Sequence, residues 1–305
     1  MRILTYQELE AKDALLPLME QAFGWPFDPA EFEKTIKVDA RLRDGCVGFC
    51  AVDKRKVLGY AGIMELTTRT VNDTARKEGG IYGVATLPGH TRQGICTALL
   101  ERAHAYFREK GYRFAFLTTS PTIVAHALYE RLGYSDALSF SGVYKIKERV
   151  KKQGVSQREK ARLDLDRMLE IYRDYVKNRT GLVVRDKKYM QMLAKTHEIA
   201  ARECILDERG YVVFKRDKKQ VRIRELVAHD QGEMNKLIGL VEERAQTVVY
   251  GKAIVDPALR RVFASRGFTV LENGHGVLMV KEFTRDITFN EAYGNRFFMS
   301  ALDYF

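Results

Sequence analysis

The stretch from Gly80 to Leu100, GIYGVATLPGHTRQGICTALL, constrains this chain more than any other. Its first seven residues read as a strand, which Pro88-Gly89 closes. A loop carrying Arg92 follows, and residues 92–110 form a helix with Ile95, Leu99, Ala103 and Phe107 on one stripe and Gly111 as its C-terminal stop. A strand that runs through a short basic loop into a long helix belongs to an α/β fold. The free N–H groups of that helix start, the helix dipole and Arg92 together make an anion site, and Gly94 lets the backbone come close to the anion. The wording is neither GxxxxGK[ST] nor GxGxxG.

Other elements are spaced around this block. Residues 8–23 and 30–36 read as helices separated by the breaker Gly24-Trp25-Pro26-Phe27-Asp28-Pro29. Residues 46–52 and 57–67 read as strands about the turn 53–56, and 114–118 as a buried strand. Ser120 and Pro121 mark the start of a helix that stops at Gly133, with Val124, Ala127, Leu128 and Leu132 as its core stripe and Tyr129 turned away from it. Residues 138–146 have strand character. The polar segment 150–160, VKKQGVSQREK, suits a linker.

Beyond a helix at 163–175, the order repeats in weaker form. A strand spans 221–227, a helix 233–245 and a strand 247–250. Asp256 and Pro257 then open a helix stopped by Gly267, and strands follow at 268–271 and 277–280. The reading is of two tandem α/β copies with mixed sheets. They occupy 1–149 and 161–283, joined by the linker 150–160 and followed by a tail at 284–305.

Charge and cysteines exclude several alternatives. A net charge of +11 attracts polyanions, but Lys and Arg are spread along the chain without an aromatic-interleaved stripe. Nucleic acid is therefore a minor reading, motivated by charge alone. Cys46, Cys50, Cys96 and Cys204 form no CxxC pair and have no histidine at zinc spacing, so no metal is expected. Cys46 and Cys50 stand about 13 Å apart along a strand, too far for a disulfide. No apolar run is long enough to span a membrane, and the N-terminus turns polar too soon for a signal peptide. A cytoplasmic protein is expected, with homo-oligomer formation left open.

The 80–100 block resembles the GNAT superfamily of acyl-CoA N-acyltransferases, whose signature [QR]-x-x-G-x-[GA] lies at a strand-to-helix loop. Arg92-Gln93-Gly94-Ile95 and Pro88 carry the match, while Thr91 and Cys96 depart from it. Ala125-His126-Ala127-Leu128-Tyr129-Glu130-Arg131-Leu132-Gly133-Tyr134 resembles the A-x-x-L-Y-x-x-x-G-[FY] end of the same domain. The resemblance implies acetyl-CoA as cosubstrate. It implies pyrophosphate held by Arg92, Gln93, Gly94, Ile95, Cys96 and Thr97, and pantetheine held by the backbone of Val84, Ala85 and Thr86. It further implies that Tyr129 protonates the leaving thiolate, and that an amine, small or on a protein, accepts the acetyl group. A non-catalytic acyl-CoA-binding regulator is the competing reading.

The second copy has Ala228-His229-Asp230-Gln231-Gly232-Glu233 in place of the phosphate loop, which would repel pyrophosphate, and Phe263 opposite Tyr129. It reads as degenerate. A tandem pair of this kind resembles the enhanced-intracellular-survival class of acetyltransferases, with its third, sterol-carrier-like domain absent here. In that class a terminal carboxylate accepts the proton, a role for which Phe305 is the candidate. Docking of Phe297, Phe298, Leu302 and Phe305 onto the core is the other reading of the tail. Glu65, Glu78, Tyr82 and a water are further candidate bases, with none decisive.

Overall fold

A computed structural model describes residues 1–24, 26–147 and 163–305. The linker assigned to 150–160, and Trp25 of the breaker loop, lie outside the described residues.

The chain opens with β1 (Arg2–Thr5), α1 (Leu16–Phe23), α2 (Pro29–Val38), β2 (Gly48–Asp53), β3 (Lys56–Arg69) and β4 (Ala75–Thr86). It continues with α3 (Ile95–Glu109), β5 (Phe114–Thr119), α4 (Val124–Arg131) and β6 (Ser135–Ile146). The second half holds α5 (Leu165–Tyr175), β7 (Thr180–Leu182), α6 (Lys187–Thr196), β8 (Cys204–Leu206), β9 (Gly210–Asp217) and β10 (Gln220–Ala228). After these come α7 (Gln231–Glu242), β11 (Val248–Ile254), α8 (Pro257–Ser265), β12 (Thr269–Glu282), α9 (Phe289–Tyr293) and β13 (Phe297–Met299).

One mixed sheet runs through both halves in the order β1-β2-β3-β4-β5-β12-β6-β11-β10-β9-β8. Pairing is antiparallel along this path except for β4 with β5 and β10 with β11. The segments read separately at 268–271 and 277–280 are the two ends of the single strand β12, irregular between Leu271 and Gly276. This strand comes late in the chain, yet it lies between β5 and β6 and thereby joins the halves. Helix α3 packs on one face of the first half through Leu99, Ala103 and Phe107. The other face is covered by Leu18 and Met19 of α1, by Phe289 and Tyr293 of α9 and by Met299 of the tail.

Three local expectations are corrected. Residues 8–23 are two 3-10 turns, Tyr6–Glu8 and Lys12–Leu15, ahead of the helix α1. Pro17 is the reason: it lacks an N–H and its ring clashes with the preceding turn, so it is tolerated only in the first turn of a helix. Helix α4 starts at Val124 rather than Pro121, because Ser120 Oγ bonds Thr122 Oγ1 at 2.8 Å in a local turn and Ile123 takes the cap position. The stripe assigned to α4 is also rotated. Val124 is 89% exposed and Ala127 is exposed, whereas Tyr129 is 6% exposed and faces inward.

His104 on α3 has a consequence that can be measured. Its ring is buried, with Nε2 at 2.9 Å from the Tyr134 hydroxyl. Burial, helped by Lys281 and Arg108, pushes its pKa down to about 3. Below pH 6.5 the unfolded chain binds a proton here that the native protein refuses until near pH 3. Stability from His104 is therefore complete above pH 6.5 and lost as pH falls from there towards 3. Urea titrations of wild type and His104→Gln between pH 4.5 and 6 should differ in slope by about 1.4 kcal/mol per pH unit, with the wild type steeper. Parallel slopes would mean that His104 is charged in the folded protein.

Candidate active site

The site begins with a gap between parallel strands. β4 and β5 pair only from Gly79 with Ala115 to Ile81 with Leu117. β4 then continues to Thr86 beside β3, and β5 continues to Thr119 without it. The separation follows from a bulge: Tyr60 pairs Ala85 and Gly62 pairs Tyr82, so Gly83 and Val84 together oppose Ala61. Gly83 has φ +56°, a conformation L side chains resist, and the extra residue turns β4 away from β5. From Tyr82 to Thr86 the edge of β4 nearer β5 thus carries backbone groups with no strand partner. Thr86 Oγ1, at the end of this strand, is buried and has no hydrogen-bond partner among the described residues. An orphaned buried hydroxyl is costly unless a ligand satisfies it.

The anion loop follows directly. A 3-10 turn at Pro88–His90 leads to Arg92 and Gly94, both left-handed at φ +59° and +76°. The first helical bond of α3 runs from Ala98 N to Gly94 O at 2.9 Å. Among the described residues, the N–H groups from Gln93 to Thr97 meet no acceptor, the usual state of a helix start. A side chain at Gly94 would meet nothing within 4 Å, so its φ, rather than space, calls for glycine. Arg92 is exposed and residues 87–97 contain no acid, so the loop offers open donors and positive potential. Ile95 is buried beneath it, and Cys96 and Thr97 are half-buried.

Tyr129 stands behind this helix start. Its ring lies 6.0 Å from that of Tyr134, and its hydroxyl has no hydrogen-bond partner among the described residues. Burial pushes its pKa well above the usual tyrosine range, and the Cys96 thiol adds to the shift. The hydroxyl is thus held protonated, as a proton donor must be.

The last residues reach the gap from the opposite side. Thr118 Oγ1, at the end of β5, donates to the Phe305 carbonyl oxygen. The Tyr304 ring sits edge-on to Phe140 at 5.5 Å, and burial raises its pKa while a hydrogen bond with Thr118 lowers it. Phe298 and Leu302 are buried, and Phe297 and Phe305 pack against the core. The tail is therefore docked. Nothing local in the sequence points to Thr118 or Tyr304 as parts of this arrangement.

The other candidate bases are engaged elsewhere. Glu65 accepts from the Tyr112 hydroxyl at 2.6 Å, and its Oε1 lies 2.5 Å from Lys77. Glu78 accepts from the N–H groups of Arg113 and Phe114 at 2.8 and 2.9 Å, just before the stretch where β4 pairs with β5. Tyr82 donates its hydroxyl to Val47 O at 2.9 Å, and burial raises its pKa. His126 lies between Asp136 at 2.9 Å and Glu130 at 3.6 Å. In the second half, Asp230 uses its own carboxylate to accept from Glu233 N at 2.9 Å, and so caps α7 where an anion would otherwise sit. Phe263 is fully buried against Phe268.

The large mixed α/β sheet with its helices matches the fold of solved N-acetyltransferase structures. Residues 12–134 match the acetyltransferase (GNAT) family. Over 92% of this chain the structure is similar to a GCN5-related N-acetyltransferase from Kribbella flavida, with 19% identity, TM-score 0.64 and 70% of that chain covered. It is similar also to Eis1 from Mycobacterium abscessus, with 18% identity, TM-score 0.58, and 92% of this chain and 74% of that chain covered. A GCN5-related N-acetyltransferase from Sphaerobacter thermophilus matches at 13% identity and TM-score 0.53, over 90% of this chain and 94% of that one. No curated protein matches the sequence. Among the described residues no helix is long and apolar enough to cross a membrane.

Proposed function

We propose that this protein is an N-acetyltransferase that moves the acetyl group of acetyl-CoA directly to an amine in a ternary complex. The observation carrying this reading is the β4–β5 gap, followed along the chain by orphaned Thr86 Oγ1 and the open N–H groups of 93–97, with protonated Tyr129 near Cys96. Arg92, Gln93, Gly94, Ile95, Cys96 and Thr97 hold the pyrophosphate, and Val84, Ala85 and Thr86 hold the pantetheine and the thioester carbonyl. The amine nitrogen forms a bond to the carbonyl carbon, the carbon–sulfur bond breaks, and Tyr129 gives its proton to the sulfur. The amine's proton passes to Phe305, whose carboxylate we assign as the acceptor.

The division into a catalytic copy at 1–149, a linker at 150–160, a degenerate copy at 161–283 and a tail at 284–305 belongs to the same proposal. It is supported by the recurrence of a parallel pair opening after a strand irregularity, at β4–β5 and at β10–β11.

The decisive experiment is a panel of amines with acetyl-CoA, followed by released thiol. Binding of acetyl-CoA without thiol release from any amine would favour the regulator reading. The cofactor loop has its own test. At acetyl-CoA one hundred times above its Kd, wild type should gain about 2.7 kcal/mol of stability. Arg92→Ala with Gly94→Glu should abolish that gain, and an undiminished thermal shift in the double variant would place the cosubstrate elsewhere.

A further inference from the structure

The gap at β4–β5 has a counterpart in the second half, and that one is filled. β10 and β11 pair from Gln220 with Val248 to Ile223 with Gly251. β10 is irregular between Ile223 and Glu225 and then runs on to Ala228. The turn Ala301–Asp303 of the tail touches both strands in this second gap. Pairing of β13 with β7 fixes the residues just before it, with Phe297 opposite Thr180 and Met299 opposite Leu182.

What holds the turn is a cluster of buried charge. The Arg185 side chain is 1% exposed, that of Glu225 2% and that of Asp303 3%. Arg185 donates to both Glu225 oxygens at 2.8 and 3.2 Å and to Asp303 Oδ2 at 2.7 Å. The Tyr189 hydroxyl donates to Asp303 Oδ1 at 3.0 Å, the Tyr211 hydroxyl to Glu225 at 2.7 Å, and Ser300 Oγ to Glu225 as well. The Arg185 guanidinium lies 3.9 Å from the centre of the Tyr172 ring.

Burying three charges is a poor route to stability, because desolvation offsets most of their attraction and an apolar cluster of equal volume does as well or better. A planar guanidinium shared by two carboxylates instead admits one geometry and sets a register. Tyr304 and Phe305 follow Asp303 directly, within a reach of about 7 Å. Those two residues end at the other gap, where Thr118 holds Phe305 and Phe140 contacts Tyr304. The tail thus starts in the second half's gap and finishes in the first half's.

We propose that the cluster of Arg185, Glu225 and Asp303 is a positioning device for the reaction, clamping the turn 301–303 in the β10–β11 gap so that Tyr304 and Phe305 stand at the β4–β5 gap. This rests on the reading of the β4–β5 gap as the reacting site. The degenerate half thereby serves the catalytic half by holding a peptide in place of a cosubstrate. Misplacement of a reacting group by about 1 Å can cost 10²-fold, so a loosened clamp is readable in turnover.

Three measurements test it, made well below the melting point of each variant. Asp303→Asn keeps the volume and removes one charge; Ser300→Ala is the milder second variant. In both, kcat should fall, by roughly 10-fold in Asp303→Asn, while KM for acetyl-CoA stays within about two-fold, because the cosubstrate loop is untouched. Carboxypeptidase should release Phe305 slowly from wild type and faster from Asp303→Asn. In a chain cut after Asp303, turnover should already be low and Asp303→Asn should lower it no further. Retained kcat in Asp303→Asn with its end released, or an equal loss in the full and shortened chains, would overturn the proposal and leave the cluster a structural element only. If wild type acetylates no amine, the reading of the reacting site fails first and takes this inference with it.

Discussion

Tyr129→Phe should bind acetyl-CoA as wild type does and turn over roughly 10²-fold more slowly, the scale of a lost general acid. The structure makes this substitution unusually clean. The hydroxyl has no hydrogen-bond partner among the described residues, so its removal orphans no buried group. The ring keeps its contact with Tyr134 and its place in the surrounding apolar cluster, so stability should stay within about 0.5 kcal/mol. Thermal shift by acetyl-CoA checks binding, and released thiol at saturating amine checks chemistry. Turnover equal to wild type would reduce Tyr129 to a packing residue. A loss of binding instead would mean that its ring lines the cosubstrate cleft and that its hydroxyl is incidental.

The second large effect concerns Phe305. Two glycines added after Phe305 should lower turnover by roughly 10²-fold with unchanged stability. The added residues displace the carboxylate by about 7 Å, beyond hydrogen-bonding reach of its former position. Every anchor stays: Phe298 and Leu302 remain buried, Asp303 keeps Arg185, and the Phe305 carbonyl can still accept from Thr118. The same extension made in Thr118→Val should cost little more, because the carboxylate would already be out of place. If the extended chain turns over at the wild-type rate with an unchanged melting point, the proton acceptor lies elsewhere and Phe305 contributes docking alone.

The features legible along the chain are local. Asp256 caps α8 through Ala258 N, Gly133 and Gly267 take the left-handed φ that follows a helix end, and the loop 92–97 opens its N–H groups where its wording says it should. These features depend on residues within one turn of each other, so a pattern in the chain suffices to reveal them. Even here a competing local interaction can prevail, as Ser120 does when it bonds Thr122 instead of capping a helix at Pro121.

The remaining features arise only when distant segments pack together. Tyr129 faces inward because Ala125, Leu128, Tyr129 and Leu132 join the apolar cluster built by α3 and the sheet, leaving Val124 in solvent; helical spacing alone allows either stripe. β12 enters the sheet between β5 and β6, a partner choice set by register and by burial of both sheet faces. The β4–β5 gap exists because a bulge at Gly83 keeps β4 with β3, and the strand's alternation reads the same with or without it. Thr118 meets Phe305 across 187 positions of chain. Such meetings are made by sheet register and by close packing of both faces. Neither is a property of any one segment, so residue spacing along the chain carries no sign of them.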